Sequence, residues 1–201
     1  MKNILALTIC LLALTSSFAS TYNTISFSEK DDKVKVEIIL TLNDVKAGQK
    51  LSIKDQAGVL LFNTVLVKSG AFNNKFDITE LPNGTYHFEH EKETYTTHIP
   101  FNVHSGEATF DKKNEKKVYK PFVSLRNNHI YFSKLELNKE NVEFNIYYSK
   151  ANTEEYTLLH TENISDTIKI ERAYRLSGKE DGSYKVIINA DGQSYVEHFK
   201  I

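Results

Sequence analysis

Only one cysteine and no tryptophan occur among the 201 residues of the chain. The single thiol, Cys10, lies in an N-terminal segment that we expect to be removed. The mature chain therefore has no disulfide and no thiol chemistry, and its stability must come from the burial of side chains. The absence of Trp argues against a carbohydrate-binding platform, because sugars commonly stack on flat aromatic faces.

An excess of charge of one sign is also lacking. The chain has 25 basic and 26 acidic residues, which gives a formal net charge of −1. Nucleic acids and anionic membranes attract proteins that carry a clear basic excess. We therefore expect neither of these partners.

Sequence motifs of catalysis are missing as well. The chain contains no Walker loop, no G-x-S-x-G, no H-E-x-x-H, no EF-hand loop and no dinucleotide-binding fingerprint. We therefore predict that the protein is not an enzyme and uses no cofactor.

The N-terminus, MKNILALTICLLALTSSFAS, has the features of a secretory signal peptide. Lys2 precedes an apolar run of eleven residues, from Ile4 to Leu14. A membrane-spanning helix needs roughly 20 such residues, so the run is too short to be one. Cleavage is predicted between Ala19 and Ser20. The mature chain would then be exported to the periplasm, the cell surface or the extracellular space, with no integral membrane segment.

An alternation of apolar and polar residues runs through most of the mature chain. Every second residue is apolar in KVKVEIILTL at 33–42, and VEFNIYY at 142–148 repeats the pattern. A period of two indicates strands with one buried face. Turn signals such as Asn-Gly and Asp-Gly separate the runs, and no window shows a long, capped helical period. Regular short strands with turns predict an all-β sandwich or barrel.

One polar stretch interrupts this alternation. The sequence HSGEATFDKKNEKKVYK, which ends at Lys120, is rich in lysine. We interpret 105–120 as a polar, Lys-rich linker. After a signal peptide at 1–19, the linker would separate one domain at 20–104 from a second at 121–201, each of a size that a small sandwich can have.

A short sequence step occurs twice, about one domain apart. LPNGTYHF at 81–88 and EDGSYKV at 180–186 share Asn or Asp, then Gly, a hydroxyl residue and Tyr. A strand of the form Tyr-x-x-His follows at 95–98 and again at 195–198. We infer that each domain ends in the same two-strand hairpin.

The repeated Gly and Tyr are predicted to be structural. Gly84 and Gly182 would make the tight turn into the strand. Tyr86 and Tyr184 would pack inward, with hydroxyls that contact the backbone at a corner, as in immunoglobulin-like sandwiches. Contact with a ligand is the alternative role for both tyrosines.

The turn of the second hairpin predicts its register. Asp191 and Gly192 suit a two-residue type I′ turn, because both residues tolerate positive φ. That turn places Tyr184 opposite Phe199. We transfer the same register to the first hairpin.

A longer pattern surrounds the first copy of the step. A hydrophobic strand, a polar turn with Gly, a second strand and an Asp-plus-aliphatic step precede Leu-Pro-x-Gly-x-Tyr; the residues are Leu51, Ile53, Asp55, Gly58, Val59, Asp77, Ile78, Leu81, Pro82, Gly84 and Tyr86. The pattern resembles the immunoglobulin-like domains of secreted Bacteroidota proteins, especially the C-terminal sorting domains of the type IX secretion system. The resemblance covers residues 50 to 103 and is weaker in the second half. It implies two tandem immunoglobulin-like antiparallel β-sandwich domains after the signal peptide.

The best candidate for a chemical site is the group His87, Glu89 and His98. In the transferred register, His87 lies opposite His98, and Glu89 shares their face two residues along. Imidazole and carboxylate groups that converge can bind zinc or copper. The alternative is a solvated outer strand face, where polar residues belong in any case.

These observations favour an exported, non-catalytic protein with a binding or structural role in the cell envelope or outside the cell, where it has a protein partner. The step from fold to function is analogy. One alternative is a type IX secretion substrate or a surface-displayed accessory protein. Another is a metal-binding protein or enzyme that uses the His87, Glu89 and His98 face. The sequence leaves the partner and the oligomeric state open.

Overall fold

The structure is a computed structural model that describes residues 35–151, 153, 155–176 and 181–201. Within these residues the chain forms fifteen β-strands and one short 3₁₀ turn. Every strand pair is antiparallel. The prediction of an all-β protein built from antiparallel sheets is confirmed.

Short strands with one buried face make up most of the described chain. Apolar and polar residues alternate along many of them, which is the pattern that a half-buried strand requires. The strands are β1 (Glu37–Val45), β2 (Lys50–Asp55), β3 (Leu60–Val65), β4 (Gly70–Asp77), β5 (Gly84–Glu91), β6 (Tyr95–His104), β7 (Glu107–Phe110), β8 (Lys116–Tyr119), β9 (Phe122–Arg126), β10 (His129–Leu135), β11 (Val142–Lys150), β12 (Thr157–Ile164), β13 (Lys169–Arg175), β14 (Gly182–Ala190) and β15 (Gln193–Lys200).

Two sheets share one hydrophobic cluster in the first half of the described chain. β1 pairs with β4, and a larger sheet has the order β3-β2-β5-β6-β7, with β8 also paired to β6. Leu51, Phe88 and Phe101 lie in the cluster and are fully buried. Burial of such side chains is the main term that stabilises this half, since no disulfide contributes.

The second half repeats this arrangement. One sheet has the order β13-β10-β9 and the other has the order β12-β11-β14-β15. Their inner faces share a second cluster, in which Ile130, Phe144 and Val186 are fully buried. The two clusters have no residue in common. The division into domains at 20–104 and 121–201, and their immunoglobulin-like character, remain predictions.

The segment predicted as a linker, 105–120, contains structure. β7 and β8 both pair with β6, and Phe101 lies opposite Phe110 while Thr96 lies opposite Val118. The prediction of a polar linker is wrong over these strands. Lysines fill the exposed positions of β8 and only Val118 is buried there, so four residues carry too little alternation to reveal a strand.

The register of the second hairpin, β14–β15, is the predicted one. Tyr184 lies opposite Phe199. Asp191 and Gly192 have φ values of 52° and 70°, as a type I′ turn requires. The turn residues therefore determine this register, as the sequence indicated.

The register transferred to the first hairpin, β5–β6, is wrong by two residues. Tyr86 lies opposite Phe101, and the amide of Lys92 donates to the carbonyl of Tyr95 at 2.9 Å across the turn. The Gly-x-Tyr steps are 98 residues apart in sequence, whereas the Tyr-x-x-His steps are 100 apart. The two Tyr-x-x-His segments are therefore not at equivalent places in their hairpins.

The repeated glycines differ from each other in their surroundings. Neither Gly84 nor Gly182 has a positive φ, so the backbone conformation requires glycine at neither position. A Cβ atom at Gly182 would lie 2.5 Å from the carbonyl oxygen of Ser149, whereas one at Gly84 would meet only the Tyr86 ring, at 3.6 Å. Close approach of the β11 backbone therefore explains Gly182 and does not explain Gly84.

Candidate metal-ligand cluster on the face of β2, β5 and β6

Three neighbouring strands of the large sheet position the candidate ligands. Tyr86 and Phe88 of β5 point into the core, so the alternating residues His87 and Glu89 point to the opposite face. His98 of β6 lies directly opposite Glu89. β5 pairs with β2 on one side and with β6 on the other, which sets the positions of these residues within the sheet.

The three candidate side chains converge. His87 Nε2 lies 3.1 Å from Glu89 Oε1, and His98 Nδ1 lies 3.6 Å from the same oxygen. The two imidazoles stack, with centroids 5.4 Å apart and planes 24° from parallel. The ligand atoms of all three residues lie within 4.8 Å of one another. We call these three residues the His–Glu cluster.

Lys54 of β2 contacts the second carboxylate oxygen. Its Nζ lies 2.7 Å from Glu89 Oε2, so the ammonium and the imidazoles occupy different oxygens. Glu89 is only 11% exposed in its side chain, which makes this ion pair largely shielded from water. The carboxylate is therefore fixed in orientation by β2 on one side and by the histidines on the other.

The cluster alters proton binding by its members. Burial opposes the ionisation of Glu89, but the hydrogen bond with His87 and the contacts with Lys54 outweigh it, and the pKa of Glu89 falls to about 2. Burial lowers the pKa of His98 below its usual value, and Glu89 offsets this only in part. Glu89 is therefore anionic and His98 neutral at physiological pH.

The error in the predicted register of β5 and β6 did not place these three residues on different faces of the sheet. His87 lies opposite Pro100, and His98 lies opposite Glu89, in contrast to the predicted pairing of the two histidines. Because the error is two residues, each side chain keeps its predicted face. Sequence reasoning missed Lys54: alternation along KLSIKD indicates an outward side chain, but nothing in the sequence identifies β2 as the neighbour of β5.

The three equivalent positions of the second half carry no such donors. At an offset of 98 residues, the positions of the His–Glu cluster are occupied by Lys185, Ile187 and Val196. Ile187 lies opposite Val196, as Glu89 lies opposite His98. Within the part of the chain that the structure describes, the His–Glu cluster is the one group of three convergent His, Cys, Asp or Glu side chains. The cluster is therefore not a by-product of the repeat.

A second polar cluster is buried in the other half and was not predicted. Lys134 of β10 contacts Glu136 at 2.5 Å and Asp191 at 2.8 Å, with side-chain exposures of 1%, 2% and 9%. Asp191 lies in the β14–β15 turn, so the contacts join that turn to β10. Sequence alternation could have indicated an inward Lys134, but not its partners.

The other predicted residues are buried or lie outside the described residues. Tyr86 and Tyr184 are both buried, with 6% and 4% exposure. Ala19 and Ser20, the predicted cleavage site, lie outside the described residues. No helix in the described ranges has the length and apolarity needed to cross a membrane.

Comparison with known proteins identifies no family for this chain. No protein family and no curated protein matches the sequence. Among solved structures, the chain is similar to one described as "Biofilm associated protein - BSP domain", at 12% identity and a TM-score of 0.29, over 81% of this chain and 27% of that chain. The chain thus spans about a quarter of the length of that protein. A TM-score of this size supports no argument about fold or function.

Proposed function

We propose that the chain is an exported, non-catalytic protein that acts in the cell envelope or outside the cell by pairing with another protein along an exposed strand. The observation that carries this proposal is β3. It lies at the end of its sheet and, among the described strands, pairs only with β2. An unpaired strand edge is a template for another strand.

The composition of β3 supports a role in binding. The segment VLLFNTVLV at 59–67 contains no charged residue and no proline. Leu60, Leu61 and Val65 are 50%, 43% and 52% exposed. Proteins usually protect such edges with Lys, Pro or a covering loop, so an apolar edge of this length favours a bound partner.

The second half has a similar edge. β12 lies at the end of its sheet and pairs with β11, as β3 pairs with β2. Its side chains Leu158 and Leu159 are 50% and 54% exposed. Exposed leucines on edge strands at equivalent places support strand addition as the mode of binding.

The partner strand that this edge fits best is β3 of a second copy. An antiparallel β3–β3 pair about a two-fold axis opposes no like charges, because the strand has none. It would join two sheets into one and bring the exposed apolar side chains of the two strands side by side. A homotypic contact of this kind suits a structural role outside the cell.

The experiment is light scattering of the purified mature chain across a range of concentrations. We expect a dimer, and we expect Leu61→Lys to shift it to the monomer, since a charge at the pairing edge opposes strand addition. The matched control is Val196→Lys on β15, where the side chain is 48% exposed. A wild-type monomer at all concentrations, or equal effects of both variants, would reject β3 pairing.

Export is tested separately. Expressed with its leader in a bacterial host, the chain is expected in the periplasmic, surface or culture fraction. Its intact mass should be that of a chain that begins at Ser20. A cytoplasmic protein with the leader retained would contradict export while leaving the β3 contact unaffected.

A second candidate function is that of a type IX secretion substrate or surface-displayed accessory protein. The Leu81 to Tyr86 segment, which resembles the Leu-Pro-x-Gly-x-Tyr step of sorting domains, favours it. In a host that has this system, the chain should reach the cell surface only when the type IX translocon is intact. Unchanged surface exposure without the translocon would exclude this route.

A further inference from the structure

We propose that His87, Glu89 and His98 bind one divalent transition-metal ion, Zn²⁺ or Cu²⁺. This site is separate from the proposed pairing along β3, because its ligands lie on β5 and β6. Two imidazole nitrogens and one carboxylate oxygen form the donor set, which suits both ions.

The spacing of the three donor atoms is compatible with their binding to one shared ion. Tetrahedral zinc with ligands at about 2.0–2.1 Å places its donors about 3.3 Å from one another. In the cluster, the distances from Glu89 Oε1 to His87 Nε2 and to His98 Nδ1 are 3.1 Å and 3.6 Å. The ligand atoms of the third pair, His87 and His98, lie within 4.8 Å of each other, and rotation of the imidazoles would bring them to the spacing that zinc requires.

The surroundings hold the ligands in place. Glu89 and His98 are paired across β5 and β6, and β2 pairs with β5 on the other side. Lys54 contacts Glu89 Oε2 and leaves Oε1 to the histidines. Outer contacts of this type orient a ligating carboxylate, although the ammonium also lowers the attraction for a cation. Three protein donors leave one position of a tetrahedral ion for water or for a donor from a partner.

Access to solvent is retained. The side chains of His87, Glu89 and His98 are 22%, 11% and 17% exposed. An ion can therefore enter from the outer face of the sheet. The alternative is that the same groups form only a hydrogen-bonded ion-pair network with Lys54.

The test uses the mature full-length chain without a histidine tag. Titration with Zn²⁺, measured by calorimetry or by competition with a zinc indicator, should give one site per chain. His87→Gln, Glu89→Gln and His98→Gln should each weaken binding by about tenfold or more, because loss of even an outer partner costs about 10- to 100-fold. The matched controls are His104→Gln, on the same strand as His98, and His198→Gln in the second half; both side chains are exposed. These controls should change affinity by less than about twofold.

Two measurements keep the proposal testable if a variant folds poorly. Excess Zn²⁺ should raise the melting temperature of the wild-type chain, since an ion that binds only the folded state stabilises it. Electron paramagnetic resonance of the Cu²⁺-loaded wild-type chain should show coupling to two nitrogen ligands. Absence of saturable one-to-one binding, absence of nitrogen coupling, or equal losses in ligand and control variants would overturn the site in favour of the ion-pair network. None of these results depends on dimer formation through β3.

Discussion

The hydroxyl of Tyr86 donates a hydrogen bond of 2.8 Å to the carbonyl oxygen of Pro82, four residues earlier. The ring is buried and stacks on Phe101, with centroids 5.6 Å apart. The bond closes the corner at which the chain enters β5. The corner therefore sets the start of β5, the strand that also carries His87 and Glu89 of the His–Glu cluster.

Substitutions of Tyr86 should separate the two contributions of this side chain. Tyr86→Phe should lower the free energy of unfolding by about 0.5–1.5 kcal/mol, because only the hydrogen bond is lost. Tyr86→Ala should lower it by about 3–5 kcal/mol, because a large buried ring is removed. Chemical denaturation measures both. The exposed Tyr131→Phe should have almost no effect; equal losses in Tyr131→Phe and Tyr86→Phe would contradict the importance of the corner.

The two repeated glycines should respond differently to the same change. Gly182→Ala should lower the free energy of unfolding by about 1–3 kcal/mol, because its Cβ would lie 2.5 Å from Ser149 O and from the Tyr148 ring. Gly84→Ala should be tolerated, because the nearest atoms belong to the Tyr86 ring, at 3.6 Å. Thermal melting of both variants measures the difference. Similar melting temperatures of the two variants would show that the backbone of β11 shifts at Ser149 to accommodate the added methyl group.

The sequence predicted the features of the fold that depend on local chemistry. Alternation indicates an all-β chain, and the Asp191-Gly192 pair determines the register of β14 and β15 because both residues take positive φ. The first hairpin has no such pair at its turn, and the register borrowed from Tyr195 was wrong by two residues. Local turn chemistry determines register, whereas a repeated Tyr-x-x-His does not.

Contacts between distant strands could not be predicted. His87, Glu89 and His98 belong to one hairpin, so alternation alone brought them to one face. Lys54 is more than thirty residues from Glu89, and only the strand order β2-β5 brings them together. The pairing of β8 with β6 was missed for a different reason: the lysines of β8 hide the alternation, because Val118 is its single buried residue.

The buried cluster of Lys134, Glu136 and Asp191 should be sensitive to loss of its cation. Lys134→Met should lower the free energy of unfolding by about 3–5 kcal/mol, because two carboxylates are left without their partner in a buried place. Addition of Glu136→Gln should recover part of this loss, because one of the unpaired charges is removed.

Chemical denaturation of the single and double variants measures these changes. The control is Lys75→Met, whose ion pair with Glu37 is exposed and should contribute less than about 1 kcal/mol. A Lys134→Met variant as stable as this control would show that water reaches the two carboxylates.

Glu162 should make the stability of the second half depend on pH. It lies on β12 and accepts hydrogen bonds from Arg172 Nε at 2.7 Å and Tyr174 Oη at 2.6 Å, both on β13. These contacts join the edges of two different sheets. Burial opposes the ionisation of Glu162, but the bonds from Tyr174 and Arg172 outweigh it and lower the pKa of the carboxyl below its usual value of 4.5.

Because the folded state lowers this pKa, the ionised carboxylate stabilises the protein above about pH 5, and the contribution declines as the pH falls through the usual value and then the lower folded value. Glu162→Gln should therefore be less stable than the wild type by about 1 kcal/mol at pH 7. The difference should shrink steadily below about pH 4.5. Urea denaturation between pH 3 and pH 7 (about one-unit steps suffice) measures it. The control is Glu171→Gln, which removes an exposed ion pair with Lys169 and should show little difference in stability from the wild type at any pH. pH 3 lies roughly a unit and a half below the usual pKa of Glu. If the deficit of Glu162→Gln stays constant down to that pH, the lost contact does not depend on the charge of the carboxylate.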